Sequence, residues 1–455
     1  MISLSDQAPR SLDSIAVVGG GPGGLLTAFL LQRQARRPLR ITIFEAGCRL
    51  GGKILTPSFA AAPVRYEAGA AEFYDYTPVG VDPLRELVED LGLPIVPLHG
   101  ASVVVGPHTL SNIDDIDARL GPAARRDLEA FHRDARLLMN PREFYVSDEP
   151  GTAPGDGFNV LLDRLSTPSV RRYVETLVHS DLATEPERTS VSYGLQNYLM
   201  NDPAYLRLYA IAGGNEQLVT ALVARLDVEV LRSRPVRQVR GLPDGRFRLT
   251  SGSSADRRDD DFDAVVLALP LAHLSNVGFS PGRLAGAMRE HVRQHDHPAH
   301  YLRVTALFDR PFWRDRLEGS FAMLDAFEGC CLYDESSRDP AARHGVLGWL
   351  LAGAAAERLA DLDDDALAAT VLGSLPRSLE PGTAKLLETR VHRWVGAVNA
   401  LPGGWRPHTL DRRHQPEPIE HPNLFVVGDY LFDSTLNGVL DSAAHVADWL
   451  AMLTA

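Results

Sequence analysis

The feature that most limits what this chain can become is a glycine-punctuated turn between a short apolar strand and a helix. In "SIAVVGGGPGGLLTAFLLQRQ", Ile15 to Val18 form a β-branched run suited to a buried parallel strand. Gly19, Gly21 and Gly24 follow at G-x-G-x-x-G spacing, and Leu25 to Gln32 reads as helix. Glycines there permit a tight turn and close approach of backbone to a pyrophosphate, and the helix N-terminus turns unpaired N–H groups toward the anion. The next strand, "LRITIFEA", ends in Glu45, where an acid holds a ribose 2′-OH. The spacing alone specifies little. Framed by a strand, a helix and an acid-ended second strand, it reads as a dinucleotide-binding fingerprint, with NAD and FAD both open. It predicts an α/β fold built on a Rossmann-type domain.

The chain has 455 residues, too many for one ordinary core, so two domains are expected. A formal charge of −13 argues against nucleic acid and against insertion at an anionic membrane surface. Lysine occurs only as Lys53 and Lys385, which we read as a genome bias. Cys48, Cys330 and Cys331 are too few for a disulfide framework, and a reducing compartment fits. The start, "MISLSDQAPRSLDS", is polar, and no apolar run is long enough to span a bilayer. A cytoplasmic location is expected, with no nucleic-acid partner, no membrane insertion, and a monomeric or homodimeric state.

The residues after the ribose acid separate the cofactors. "EAGCRLGGKILT" sets Arg49, Gly51, Gly52 and Lys53 directly behind Glu45. This resembles the R-x-G-G-R/K segment of the flavin-containing amine oxidase superfamily. Monoamine and polyamine oxidases, L-amino-acid oxidases, protoporphyrinogen oxidases and phytoene desaturases belong to it. There the segment wraps the FAD pyrophosphate, and two cations with two glycines suit that task. "YEAGAAEFYD", with Gly69 and Ala70, resembles the segment that passes the isoalloxazine ring. "YAIAGGNEQLVTAL", "VEVLRSRPVRQV" and "FDAVVLALPLAHL" resemble three further family elements, the second pairing its backbone near Val236 with adenine.

The resemblance also gives "FVVGDYLFDSTLNGVLDSAAHVADWL" a role. Gly428 and Asp429 match the family's strand-ending Gly-Asp, which implies that Asp429 reaches ribityl hydroxyls or water on the pyrophosphate. A helix from about Leu436, capped by Ser434 or Thr435, would aim its N–H groups at flavin N1 and O2 and favour the reduced ring. With no cysteine nearby, the FAD is expected to be noncovalent.

The FAD elements fall in three blocks, 1–75, 208–275 and 395–455. An interleaved α+β substrate domain is expected over 76–207, largely helical, and 276–394. Asp244-Gly245 predicts a hairpin turn in the FAD domain.

Three residues are candidates for catalysis. Counting back from Phe312-Trp313, Arg303 falls where many family members carry a lysine beside flavin N5. Arginine stays charged, so it would anchor a substrate carboxylate bidentately or hold a structural ion pair. Trp394, in "HRWVGAVNALPGGW", would form an aromatic wall over the flavin or sit in the core, and Tyr430 could face the cofactor. His291, His295, His297 and His300 read as a polar helix-to-strand loop, and no metal is expected.

The resemblance implies an FAD-dependent oxidoreductase that takes an amine or L-amino acid as small-molecule substrate, by hydride transfer to flavin N5 with reoxidation by dioxygen. The alternative is C–C dehydrogenation, as in protoporphyrinogen oxidase or phytoene desaturase. The short loop from Gly428 to Gly438 and "RWVGAVNALPGGW" resemble that branch, while the lack of a membrane-docking stretch weighs against it.

Overall fold

A computed structural model describes residues 12–100, 102–145, 156–339, 341–380, 382–405 and 407–454. The polar lead over residues 1–11 lies outside the described residues. Among the described residues, no helix is long and apolar enough to cross a membrane. The chain divides into two compact units. One takes Met1–Lys53, Val219–Asp296 and Pro407–Ala455, and the other takes Ile54–Leu218 and His297–Arg406. These breaks differ from those read off the sequence. Residues 54–75, 208–218 and 395–406 fall in the second unit, and 276–296 in the first.

The first unit is built on a five-stranded sheet. Its order is Leu424–Val426, Ala264–Leu267, Ser14–Val18, Arg40–Phe44 and Glu229–Leu231, with every pairing parallel. All five residues of Ser14–Val18 are buried, as the β-branched run requires of a central strand. The helix Pro22–Gln34 leaves this strand through the glycine turn, with Pro22 in the first turn, where its missing N–H costs nothing. It packs along the helix Leu436–Met452, which buries Leu440, Ala443, Val446 and Leu450. A second sheet carries the predicted hairpin. Gly241 pairs with Phe247 across Asp244-Gly245, and Gly245 has a φ of +83°.

The second unit centres on a seven-stranded sheet. Pro298–Phe308 lies antiparallel between Leu386–Asn399 and Gly345–Ala352, followed by Cys330–Asp334, Phe321–Leu324, Ser102–Val105 and His108–Leu110. Trp313 and Trp349 are fully buried in its core. A small sheet joins Phe73–Asp75 and Ile95–Leu98 to Arg207–Ile211. That pairing ties the Tyr66–Asp75 segment to this unit. The stretch 76–207, read as largely helical, includes the helices Pro83–Asp90, Pro122–Leu138 and Pro168–Leu182.

The histidine run needs correction. His291 and His295 are not in a loop. They are buried on the helix Gly282–His295, whose i, i+4 spacing puts both on the face shared with Leu284 and Met288. Only Asp296 and His297 separate that helix from the strand beginning at Pro298.

Candidate active site

In the first unit, the three motif glycines do different work. Gly19 has a φ of +111°, and a Cβ there would lie 2.3 Å from the Ala268 carbonyl oxygen. A Cβ on Gly24 would lie 2.0 Å from the Gly19 oxygen. Both glycines are therefore demanded by the turn and the packing. Gly21 differs, since a Cβ there would meet only Gly52 Cα, at 3.8 Å. Nothing in the unit's own packing requires glycine at this helix N-terminus, and the space in front of it stays open. The "RLGGK" loop closes over it, with Gly51 N–H donating to the Gly20 oxygen at 2.8 Å. An open cradle at the N-terminus of a buried-strand helix fits a pyrophosphate.

Around this cradle the predicted residues are placed as follows. Glu45 accepts from the N–H of Gly20 at 2.9 Å and of Gly47 at 2.6 Å. Arg49 donates to the carbonyls of Leu50 and Gly52, bracing the loop. Lys53 forms an ion pair with Asp429 at 2.6 Å, so two residues read separately from the sequence meet each other. Val236 is buried and opens the strand Val236–Gly241. Gly428 follows the strand Leu424–Val426, and the last helix begins at Leu436 with Thr435 as its cap, accepting from Gly438 N–H at 3.0 Å. Tyr430 is set in the core, 2% exposed among Val265, Leu424 and Leu431, with its hydroxyl 3.5 Å from His291 Nε2. It has no open surface to offer a reactant, which corrects its candidacy as a catalytic residue. The cause is local, because Tyr430 lies in the short 3-10 turn Asp429–Leu431, which buries both Tyr430 and Leu431.

In the second unit, a buried ionic network holds the Tyr66–Glu72 segment. Arg303 is fully buried and ion-paired with Glu335, and its guanidinium lies 4.8 Å from the Tyr333 ring centre. The other Glu335 oxygen accepts from the Glu67 N–H at 2.7 Å. Glu67 in turn accepts from Asn215 N–H at 2.9 Å and from Arg338 at 3.1 Å, while Arg338 also donates to the Ala71 oxygen. Asn215 Nδ2 donates to the Ala70 oxygen at 2.9 Å. Trp394 is partly buried and donates from Nε1 to the Ala68 oxygen at 2.7 Å. The backbone at Gly69 and Ala70 is thus clamped from both flanks.

Burial pushes the Glu67 carboxyl up to about 7, against the pull of Arg338 and with the push of Glu335. The native state therefore holds this proton more tightly than the unfolded chain does. The stabilisation is complete below the ordinary carboxylate range and is lost as pH rises through about 7. Glu67→Gln cannot titrate. The melting-temperature difference, wild type minus variant, should fall as pH is raised from about 5 to about 8. A difference that stays constant with pH would refute the assignment.

Beside this network lies a cavity of about 490 Å³, contained in the second unit. Met200, Leu206, Phe321 and Met323 give it apolar walls, and Glu72 and Asp181 also line it. Burial raises the pKa of both carboxyls; the Glu72 charge pushes Asp181 further up, while a hydrogen bond with Tyr333 and the charges of Arg303 and Arg338 pull Glu72 back. The sequence offered no signal for Asp181. For Glu72 the signal was an acid inside the otherwise apolar "AGAAEFY". Among the described residues, the three side chains spaced for a shared cation are His179, Glu185 and Glu328, and His179 Nε2 is already bonded to Glu185 at 3.0 Å.

A parallel sheet with an open anion cradle at its first helix defines a dinucleotide-binding protein. The family described as flavin containing amine oxidoreductase matches residues 22–450. The chain belongs to that family, and its cofactor is FAD. It is 25% identical to nicotine dehydrogenase of Pseudomonas putida over 60% of this chain and 57% of that protein. It is 28% identical to carotenoid phi-ring synthase of Streptomyces griseus over 95% of this chain and 85% of that protein. The solved structure of cyclohexylamine oxidase from Brevibacterium oxydans superposes with a TM-score of 0.72 at 19% identity, covering 97% of this chain and 99% of that one, which establishes the fold. The match spans less than two thirds of the nicotine dehydrogenase.

Proposed function

We propose that this chain oxidises an apolar amine. The unit holding the glycine cradle binds FAD noncovalently, and the unit holding the cavity takes the substrate. The observation that carries the reading is the charge inside the cavity. Glu72 and Asp181 are among the residues that line it, whereas Arg303, the candidate reader of a substrate carboxylate, is matched by Glu335. An amino acid would bring a carboxylate against two acids, and an amine brings a cation. When bound, FAD supplies the two-electron acceptor. The protein's share is to orient the amine, exclude water through the apolar walls, and take the ammonium proton before oxidation. The amine loses a hydride equivalent and a proton to give an imine, which water hydrolyses, and dioxygen leaves as hydrogen peroxide.

C–C dehydrogenation is the second reading, favoured by the similarity to carotenoid phi-ring synthase along 95% of the chain and by the apolar walls. Anaerobic flavin bleaching decides between them. Apolar primary or secondary amines should bleach the flavin, and the amino acids that carry the same side chains should not. Bleaching by cyclic alkenes alone would replace the amine reading with the second.

A further inference from the structure

We propose that Ser442, His414 and Arg413 are positioning residues for the cofactor: they fix the turn from Gly428 to Phe432, and so aim the Asp429 carboxylate at the cradle. The proposal rests on the reading above that FAD occupies the glycine cradle of the first unit.

The turn has to be held from outside the sheet. Leu424–Val426 is an edge strand of the five-stranded sheet. Just past its end, Val427 N–H still donates to the Leu267 oxygen at 2.9 Å. Successive N–H groups of an extended chain point to opposite sides, so the Gly428 N–H turns away from the sheet. It donates to Ser442 Oγ at 3.1 Å, on the helix Leu436–Met452. Asp429 comes next. Its Oδ1 accepts from the Tyr430 N–H at 2.9 Å and its Oδ2 from Lys53 Nζ at 2.6 Å. Lys53 belongs to the loop that closes over the cradle, so the place of Gly428 decides where this carboxylate points.

Ser442 is fully buried, and a histidine sets the direction of its hydroxyl. His414 Nδ1 lies 2.7 Å from the Leu410 carbonyl oxygen, which accepts, so the ring proton sits on Nδ1. Burial brings the His414 pKa down to about 3, and the charges of His445, Arg413 and His295 add to the fall. At neutral pH, Nε2 therefore presents a lone pair. It takes the Ser442 hydroxyl proton at 3.0 Å, which leaves a Ser442 oxygen lone pair for the Gly428 N–H. Arg413 holds the far end of the turn. It is 5% exposed, and its Nη1 donates to the Leu431 oxygen at 2.6 Å while Nε donates to the His408 oxygen at 2.7 Å. Its guanidinium also lies 5.4 Å from the Phe432 ring centre. Adjacent residues of the short helix Leu410–His414 thus grip the turn at both ends.

If these groups only satisfied one another in the core, their loss would lower stability and leave FAD affinity alone. The test therefore reads the FAD dissociation constant, from the flavin fluorescence released on diluting each holoenzyme well below its melting temperature. Ser442→Ala should raise it about tenfold, the equivalent of one hydrogen bond. Asp429→Asn should raise it at least as much. In the Asp429→Asn background, Ser442→Ala should add less than about twofold, because the carboxylate it aims is gone. Adding His414→Leu to Ser442→Ala should likewise change little, since His414 acts through that hydroxyl. Arg413→Lys keeps the charge but loses the planar fork, and should weaken FAD binding several-fold. It takes the place of Ser442→Ala in the same comparison if the latter does not fold. Wild-type FAD affinity in Ser442→Ala and Arg413→Lys, whatever their melting temperatures, would overturn the proposal. So would a Ser442→Ala loss of equal size with and without Asp429. The underlying reading fails separately. If Gly21→Val keeps its FAD, the cradle is not the cofactor site and the proposal falls with it. If Gly21→Val loses FAD and Ser442→Ala binds it as the wild type does, the cradle stands and the positioning role does not.

Discussion

Gly21→Val should fold normally and emerge from purification without colour. A Cβ at Gly21 finds only Gly52 Cα within 4 Å, at 3.8 Å, so the chain's own packing tolerates it. The branched side chain would instead fill the opening in front of the Pro22–Gln34 N-terminus, where backbone N–H groups must reach a phosphate oxygen directly. The loss of FAD affinity should be at least about a thousandfold, ~4 kcal/mol. The melting temperature should equal that of wild-type protein stripped of FAD. Gly24→Val is the contrast, because its Cβ would lie 2.0 Å from a backbone oxygen and should destabilise the fold itself. Wild-type protein, denatured and filtered, should release all its flavin into the filtrate. A Gly21→Val protein that keeps a full complement of FAD would show that the cradle is not the cofactor site.

The second large effect is expected at Arg303, and it should appear in stability. Arg303 and Glu335 are both buried, 0% and 7% exposed, and their charges cancel each other. Arg303→Met leaves Glu335 charged and unmatched in the core, at a cost of about 3–5 kcal/mol in chemical denaturation. Removing the partner as well, in Arg303→Met with Glu335→Gln, should recover most of that loss, since the penalty lies in the stranded charge. A substrate-binding role predicts the opposite pattern. Stability would hold, and kcat/KM would fall for a carboxylated substrate while the matching amine was spared. That outcome would return Arg303 to the role of carboxylate anchor.

The contrast between these residues shows what a linear sequence reveals. The strand, glycine turn, helix and acid-ended strand from Ser14 to Glu45 are consecutive, so their periodicity and spacing could be read directly. The hairpin at Asp244-Gly245 and the cap at Thr435 are equally local. Arg303 lies on one strand and Glu335 just past the end of another, 32 positions apart, in a sheet whose order is not the chain order, and nothing in either neighbourhood names the other. The same holds for Lys53 with Asp429, and for Glu72 with Asp181, which only the fold brings to one cavity. The limits of the units escaped the sequence because they depend on pairing. The Tyr66–Asp75 segment resembles a cofactor-binding element, yet its hydrogen bonds run to Arg207–Ile211, Asn215 and Glu335.

The packing of the Pro22–Gln34 helix against Leu436–Met452 has a consequence for how the protein is made. The first unit gathers three stretches of chain. One neighbour of its first helix is synthesised some four hundred residues after that helix. The apolar face of the helix must wait that long for its cover, and at ~5–20 residues per second the wait is tens of seconds. The second unit's last stretch ends at Arg406, so all of its own chain is made before Leu436 and it can close earlier. Nascent chains stalled before Leu436 should therefore expose the early helix to chaperones and proteases while the seven-stranded sheet is already protected.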